Sequence, residues 1–178
     1  MDSFLIAYQP YQIIFLQLIL ALVLGMVLGI QRTLSGKNAG MRTYSLVSMG
    51  CALLVIIAQE VILTYPTKIN FDPLSLAGSV MQGIGFLGAG LIIFHGTKIN
   101  GLTTAAGIWM SAAIGIAVGY HLYAVAIFAT FLTLVVFTIL WSLEEKVKSI
   151  RNHGAPEEVE EDSRGGGLSQ AGDKADML

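Results

Sequence analysis

Two polar side chains lie inside long apolar stretches, where they could do chemistry. Glu60 lies near the end of the stretch 44–65, and Gln82 lies near the middle of the stretch 74–94. Charged and amide groups at membrane depth are costly and need partners. Glu60 could hold a cation or a proton or pair with a basic group, but it could also reach the headgroup water. Gln82 could line a polar cavity or only hydrogen-bond between helices.

A second set of candidates flanks predicted helix ends. Arg32 and Arg42 lie on either side of a short loop. They could bind a lipid phosphate or a helix C-terminus, although ordinary positive-inside anchoring explains them more simply. Thr103 and Thr104 begin a later helix, where a hydroxyl could cap it or bond the carbonyl four residues back. Asp72 precedes a proline and is typical of an N-cap.

These residues form no recognisable catalytic or metal-binding set. The sequence lacks a paired-carboxylate motif and a Cys/His cluster, and its three histidines are far apart. Cys51 is the single cysteine, so it cannot form a disulfide within the chain, and we expect it to be a small packing residue. The sequence therefore predicts a protein that is not an enzyme and has no cofactor or metal.

The composition indicates a membrane protein. Of the 178 residues, 54% are hydrophobic and 12% are charged, whereas soluble domains carry about 25% charged residues. Residues 1–153 are mildly basic and residues 154–178 are acidic. This charge distribution gives no reason to expect a nucleic-acid partner.

Apolar length predicts the elements that must position the polar groups. A bilayer span needs about 20 apolar residues, and the N-terminus lacks the basic region of a cleavable signal peptide. We predict an all-α polytopic membrane protein, with a five-helix domain at 1–143 and a charged, disordered cytoplasmic tail at 144–178. The five predicted spans are 12–30, 44–65, 74–94, 102–119 and 122–143.

Short-loop charges predict the orientation of these spans. Most Lys and Arg residues of the first 153 positions fall in the first and third loops and after the fifth span. By the positive-inside rule, the N-terminus lies outside and the C-terminus in the cytoplasm.

Small residues predict how the helices pack. The third span contains the block GIGFLGAG, and in residues 101–119 of the fourth, 12 of 19 residues are Gly, Ala, Ser or Thr. Such residues permit close helix contact in membranes, so we expect helices three and four at the centre, helix five at the periphery, and a homo-oligomer. The block also matches a dinucleotide-binding pattern, which the absence of a βαβ unit excludes. The predicted packing glycines are Gly83, Gly85, Gly88, Gly90, Gly115 and Gly119, with a further pair at Gly25 and Gly29.

Four stretches together resemble the MgtC/SapB family of bacterial inner-membrane proteins, over roughly residues 10–142. They are GMVLGIQR (25–32), AGMRT (39–43), DPLSLAGSVMQGIGFLGAG (72–90) and GLTTAAGIWMSAAIGIAVG (101–119).

The resemblance implies a membrane domain of about five helices, associated with growth at low magnesium and with survival of pathogens inside host cells. It also implies a regulator that binds other membrane complexes, among them the F-type ATP synthase. We therefore expect a non-enzymatic regulator. The alternative is an ion or small-solute transporter that uses Glu60, Gln82, Arg32 and Arg42.

The chain departs from the family pattern in two places. The family's usual Glu-Arg pair reads Gln31-Arg32 here, which removes a carboxylate that could pair with a cation. Many members also carry a soluble ACT-like C-terminal domain, and we expect its functions to be missing from this chain.

Overall fold

The computed structural model of the chain describes residues 11–65, 72–95 and 98–140. The chain divides into two units, Met1–Ser142 and Leu143–Leu178, and every described residue belongs to the first. The predicted tail at 144–178 lies outside the described residues, so the predicted domain division stays a prediction.

The described chain is mainly helical, and four of its helices are long and apolar enough to cross a membrane. The predicted helical membrane architecture is thereby confirmed for four helices, while α3 stays a predicted fifth span. The spans are α1 (Tyr11–Leu34), α2 (Met41–Thr64), α4 (Leu102–Gly119) and α5 (Tyr123–Val135), which continues into a π-helical turn (Val136–Leu140); α3 is Pro73–Gly90.

The third helix ends earlier than predicted, at Gly90 rather than at residue 94. A short antiparallel hairpin follows, made of β1 (Ile93–His95) and β2 (Lys98–Asn100), which the sequence analysis did not predict. Gly101 then adopts a left-handed conformation with φ of 89° and lies against the carbonyl of Leu91, where any Cβ would collide. This glycine lets the chain turn tightly from the hairpin into α4.

The core of the bundle is formed by α1, α2 and α4, which pack against one another. Gly25 and Gly29 bring α1 against the backbone of the first turns of α2. On the other side of the core, Gly115 lies against the backbone of Ser48, and Gly119 lies against Val55. The predicted close crossings at both glycine pairs are confirmed, and α2 is the helix that both pairs contact.

The prediction that α3 occupies the centre is wrong within this chain. Gly88 is the one buried residue of α3, and it contacts Ala105 of α4. A Cβ added at Gly83, Gly85 or Gly90 would meet no atom within 4 Å. Small residues on α2 take the expected place of α3. Gly25 of α1 lies against Ser45 and Ser48, and the glycines of α4 lie against Ser48 and Ala52. The predicted central position of α4 and peripheral position of α5 are confirmed.

Candidate functional site

Arg32 lies in the last turn of α1 and is 3% exposed. Because α1 runs antiparallel to α2, its last turn meets the first turns of α2 and α4 and the π-helical turn after α5. We call this the arginine end of the bundle. The Arg32 Nη2 donates to Thr104 Oγ1 at 3.2 Å, and Cζ lies 4.5 Å from the centre of the Phe137 ring. The guanidinium is therefore held by α4 and covered by an aromatic ring.

Tyr44 extends this buried polar group into the core. Its hydroxyl donates to the carbonyl of Thr104 at 3.3 Å, and its own carbonyl accepts from Ser111 Oγ at 2.8 Å. Its ring fits because Gly107 carries no side chain, and a Cβ there would collide with the Tyr44 hydroxyl and the Phe137 ring. Tyr44 thus joins α2 to α4 through two hydrogen bonds that buried polar groups require.

Some buried polar atoms at the arginine end lack a hydrogen-bond partner. Arg32 Nε and Gln31 Oε1 are shielded from solvent and have no hydrogen-bond partner, and Ser48 Oγ is in the same position farther along α2. The Gln31 amide nitrogen donates to Ser35 Oγ at 3.2 Å and to the Phe137 carbonyl at 3.4 Å. Unpaired buried polar atoms are uncommon in native proteins, so they mark this end as a candidate binding site.

The structure does not bring the other predicted polar residues to this site. Arg42 is exposed whereas Arg32 is buried, and Thr103 is exposed beside the buried Thr104. Gln82 is exposed on α3, and Glu60 is partly buried toward the far end of α2. Hydrogen bonds within the described ranges join none of these four side chains to one another. The functional roles predicted for them stay predictions.

The predicted cap of α3 is confirmed. Asp72 Oδ1 accepts from the Leu74 amide at 3.0 Å, and Pro73 occupies the first turn. The Tyr120 hydroxyl donates to the Pro73 carbonyl at 2.8 Å, which ties the start of α3 to the end of α4. Partial burial and the nearby Asp72 carboxylate raise the pKa of Tyr120 above its usual value, so it keeps its donor proton at neutral pH.

The sequence analysis missed a polar cluster at the other end of the bundle, which we call the histidine end. The buried Gln17 side chain donates to the Val118 carbonyl at 3.3 Å, and its Nε2 lies 2.9 Å from His121 Nδ1. The same ring nitrogen lies 2.9 Å from the Tyr123 hydroxyl. Gln17 lies within an apolar predicted span, as Gln82 does, and the same argument applied to both could have found it.

His121 holds an unusual backbone conformation, with φ of 61°. Its amide donates to the Val118 carbonyl, and the Leu122 amide donates to the Ala117 carbonyl. This pattern is the Schellman motif that ends many helices, at a position where glycine is usual. The contacts of His121 with Gln17 and Tyr123 compensate for the left-handed conformation.

The described residues contain no group of three His, Cys, Asp or Glu side chains that could hold a metal ion. The larger cavities instead lie in grooves on either side of α3. One, of about 540 Å³, lies between α3 and α4 over Gly85, Gly88 and Trp109. The other, of about 680 Å³, lies between α2 and α3 over Gly50 and Gly83. Both are lined almost entirely by apolar side chains, which suit helices or acyl chains better than ions.

Apolar spans, glycine-mediated helix crossings and a buried polar interior define a multi-pass helical membrane protein. The sequence profile of the MgtC family matches residues 18–146, and the chain belongs to that family.

Relatives of the chain come from several bacteria. YhiD of Escherichia coli K12, whose name proposes a magnesium transporter, is 36% identical over 140 residues, which is 78% of this chain and 65% of YhiD. MgtC of Salmonella typhimurium LT2 is 33% identical over 135 residues, or 76% of this chain and 55% of MgtC. An uncharacterized protein of Haemophilus influenzae is 42% identical over 127 residues, or 69% of this chain and 53% of that protein.

The matched region thus spans less than two thirds of the length of each of these three relatives. No solved structure matches the chain.

Proposed function

We propose that the protein is a non-enzymatic regulator in the bacterial inner membrane, which acts by packing α3 against helices of partner proteins. The observation that carries the proposal is the uncovered glycine block. In the described part of the chain, a Cβ added at Gly83, Gly85 or Gly90 would have open space around it, although glycine weakens a helix unless close packing compensates. Another helix that packs against this face would provide that compensation.

The surroundings of the block support a helical partner. The two grooves beside α3 give a neighbouring helix two apolar channels. Phe86 is 82% exposed on the same helix, and an aromatic side chain gives large contact area in an interface. A second copy of the chain is one such partner, so the proposal includes a homo-oligomer within the lipid bilayer.

The contacts of α3 support its role as a fifth span. Tyr120 binds its start at the histidine end, and Gly101 lies against Leu91 just after its end at the arginine end. It therefore runs the length of α4, which is long and apolar enough to cross the membrane.

The charge distribution supports an orientation with the arginine end in the cytoplasm. Arg32, Lys37 and Arg42 lie at that end, whereas Glu60 and Asp72 lie at the histidine end. The positive-inside rule then gives a cytoplasmic C-terminus and an N-terminus outside.

The link to magnesium comes from the names of the relatives. YhiD is named for magnesium transport, and the family resemblance implies a role in growth at low magnesium or in survival inside host cells. We propose that this chain acts in the same adaptation by contacting other membrane complexes, with the F-type ATP synthase as one candidate.

Transport is the second candidate function. The observation that favours it is the row of buried polar groups at Arg32, Thr104, Tyr44 and Ser111. A transporter needs polar groups along a path, but Glu60 and Gln82 lie away from this row. Magnesium-dependent flux into proteoliposomes that is lost in Glu60→Gln would favour transport over the regulator.

Gly85→Leu tests the regulator. Because Gly85 has open space around it, the variant should fold normally yet lose partner capture from native membranes and growth at low magnesium. Gly88→Leu is a less clean test, since Gly88 also packs against Ala105. The matched control is Gly78→Leu, which adds the same bulk to α3 outside the block. Normal assembly and growth in Gly85→Leu would exclude the proposed interface.

A further inference from the structure

The charge of Arg32 has no counter-charge in the described part of the chain. The two carboxylates there, Glu60 and Asp72, belong to the histidine end, whereas Arg32 lies at the arginine end. A buried lysine or histidine could release its proton, but a guanidinium stays charged in proteins. An isolated buried charge is strongly unfavourable unless an opposite charge or several hydrogen bonds compensate it. An anion from outside the bundle would supply that compensation.

The guanidinium also has unused donors. It carries five N–H groups, and in the described structure it donates to the Thr104 hydroxyl from Nη2 and also interacts with the Tyr44 hydroxyl. Nε is shielded and has no acceptor. A buried guanidinium with an unpaired Nε can therefore accept a further oxygen ligand.

The neighbours of Arg32 restrain the orientation of its guanidinium. Phe137 covers one face of the plane, and hydrogen bonds form in the plane rather than across its face. Thr104 restrains one end of the guanidinium fork, its row of N–H donors. The Tyr44 hydroxyl lies nearby, because it donates to the Thr104 carbonyl. A planar, restrained fork matches the paired oxygens of a tetrahedral oxyanion, which it binds with two parallel hydrogen bonds.

The position of Arg32 along the bundle indicates which anions could reach it. It occupies the last turn of a membrane-spanning helix, which is the depth of lipid phosphates. The exposed Lys37 at the same end adds positive potential that concentrates anions there.

We propose that Arg32 binds a phosphate group at the arginine end, with Thr104 and Phe137 holding its guanidinium in place. The group comes either from a lipid headgroup or from free phosphate. The site lies on α1 and α4 rather than on α3, so it does not depend on the proposed helix-packing interface.

Native mass spectrometry of the detergent-solubilised full chain tests the lipid source. During titration with phosphatidylglycerol, the wild type should retain one lipid more tightly than Arg32→Gln by at least about tenfold, the effect of one lost charge-assisted contact. Arg42→Gln is the matched control, because it removes an exposed arginine from the same end and should bind like the wild type. Arg32→Lys keeps the charge but loses the fork, and should fall between them.

Thermal unfolding with inorganic phosphate tests the free source and needs no variant. At ten times its dissociation constant, phosphate should raise the melting temperature of delipidated wild type by about 3 °C. Chloride or acetate at the same ionic strength should not. A phosphate shift without lipid retention identifies the free ion, and lipid retention without a phosphate shift identifies the headgroup.

Three results would overturn the proposal. The first is equal lipid retention in the wild type and Arg32→Gln, together with no rise in melting temperature with phosphate. The second is an equal loss of lipid retention in Arg32→Gln and Arg42→Gln, and the third is a rise in melting temperature with acetate that equals the rise with phosphate. The last would mean that the site takes a carboxylate, such as one from another protein.

Discussion

Arg32 donates a hydrogen bond to Thr104 and also interacts with the Tyr44 hydroxyl. The Thr104 hydroxyl accepts from the guanidinium, while the Thr104 carbonyl separately accepts from Tyr44. One residue of α4 therefore orients polar side chains from both α1 and α2. Its neighbour Thr103 is exposed, so two adjacent residues of one type have different roles.

Thr104→Val should lower stability by about 1–3 kcal/mol, because it leaves a buried guanidinium without its Thr104 acceptor while keeping shape and the Tyr44 bond. Unfolding of the purified protein in mild detergent measures the effect. Thr103→Val is the control and should change stability by less than about 0.5 kcal/mol. Equal effects of the two variants would show that the bond between Arg32 and Thr104 does not contribute.

At the scale of elements, the glycines of the helices have two different surroundings. Those at the crossings with α2 allow backbones to approach closely, whereas those at positions 83, 85 and 90 of α3 face open space. The same residue type thus marks packing within the chain in one helix, and the proposed contact surface in another.

Gly115→Ala should destabilise the bundle by about 1–3 kcal/mol, because the new methyl group would collide with the Ser48 backbone and force α2 and α4 apart. Gly83→Ala adds the same methyl group in open space, where alanine also favours the helix, and should be neutral or stabilising. Thermal unfolding of both variants compares them. A stable Gly115→Ala protein would contradict the crossing described for α2 and α4.

The end of α4 offers a second test at this scale. His121→Ala removes the contacts with Gln17 and Tyr123 but keeps a Cβ in the left-handed conformation. His121→Gly removes the same contacts without that cost, and should be more stable than the alanine variant by about 1 kcal/mol. Equal stability of the two variants would show that the backbone relaxes to negative φ.

At the scale of the whole molecule, the charged residues of the described part of the chain lie toward the two ends of the bundle. The arginine end carries the exposed Lys37 and Arg42, and the histidine end carries Asp72. Such a separation of charge is what the positive-inside rule uses to orient a membrane protein.

Cysteine labelling of intact cells tests the orientation. Asn38→Cys places a thiol in the exposed loop between α1 and α2, and Leu122→Cys places one between α4 and α5. A membrane-impermeant maleimide should label Leu122→Cys directly, but Asn38→Cys only after permeabilisation. The wild type gives the background, since its single cysteine, Cys51, is 3% exposed. The reverse labelling pattern would invert the proposed topology.

The sequence by itself determined the membrane class, four of the spans, the cap at Asp72 and the close crossings at Gly25/Gly29 and Gly115/Gly119. These depend on local properties, because apolar length, capping and the absence of a side chain act within one segment. Only the tertiary structure decided that α2 rather than α3 is central, and that Arg32 binds Thr104 of α4. The sequence shows which residues are small or polar and which face of a helix they share. The partner of each face depends on how helices distant in sequence pack together.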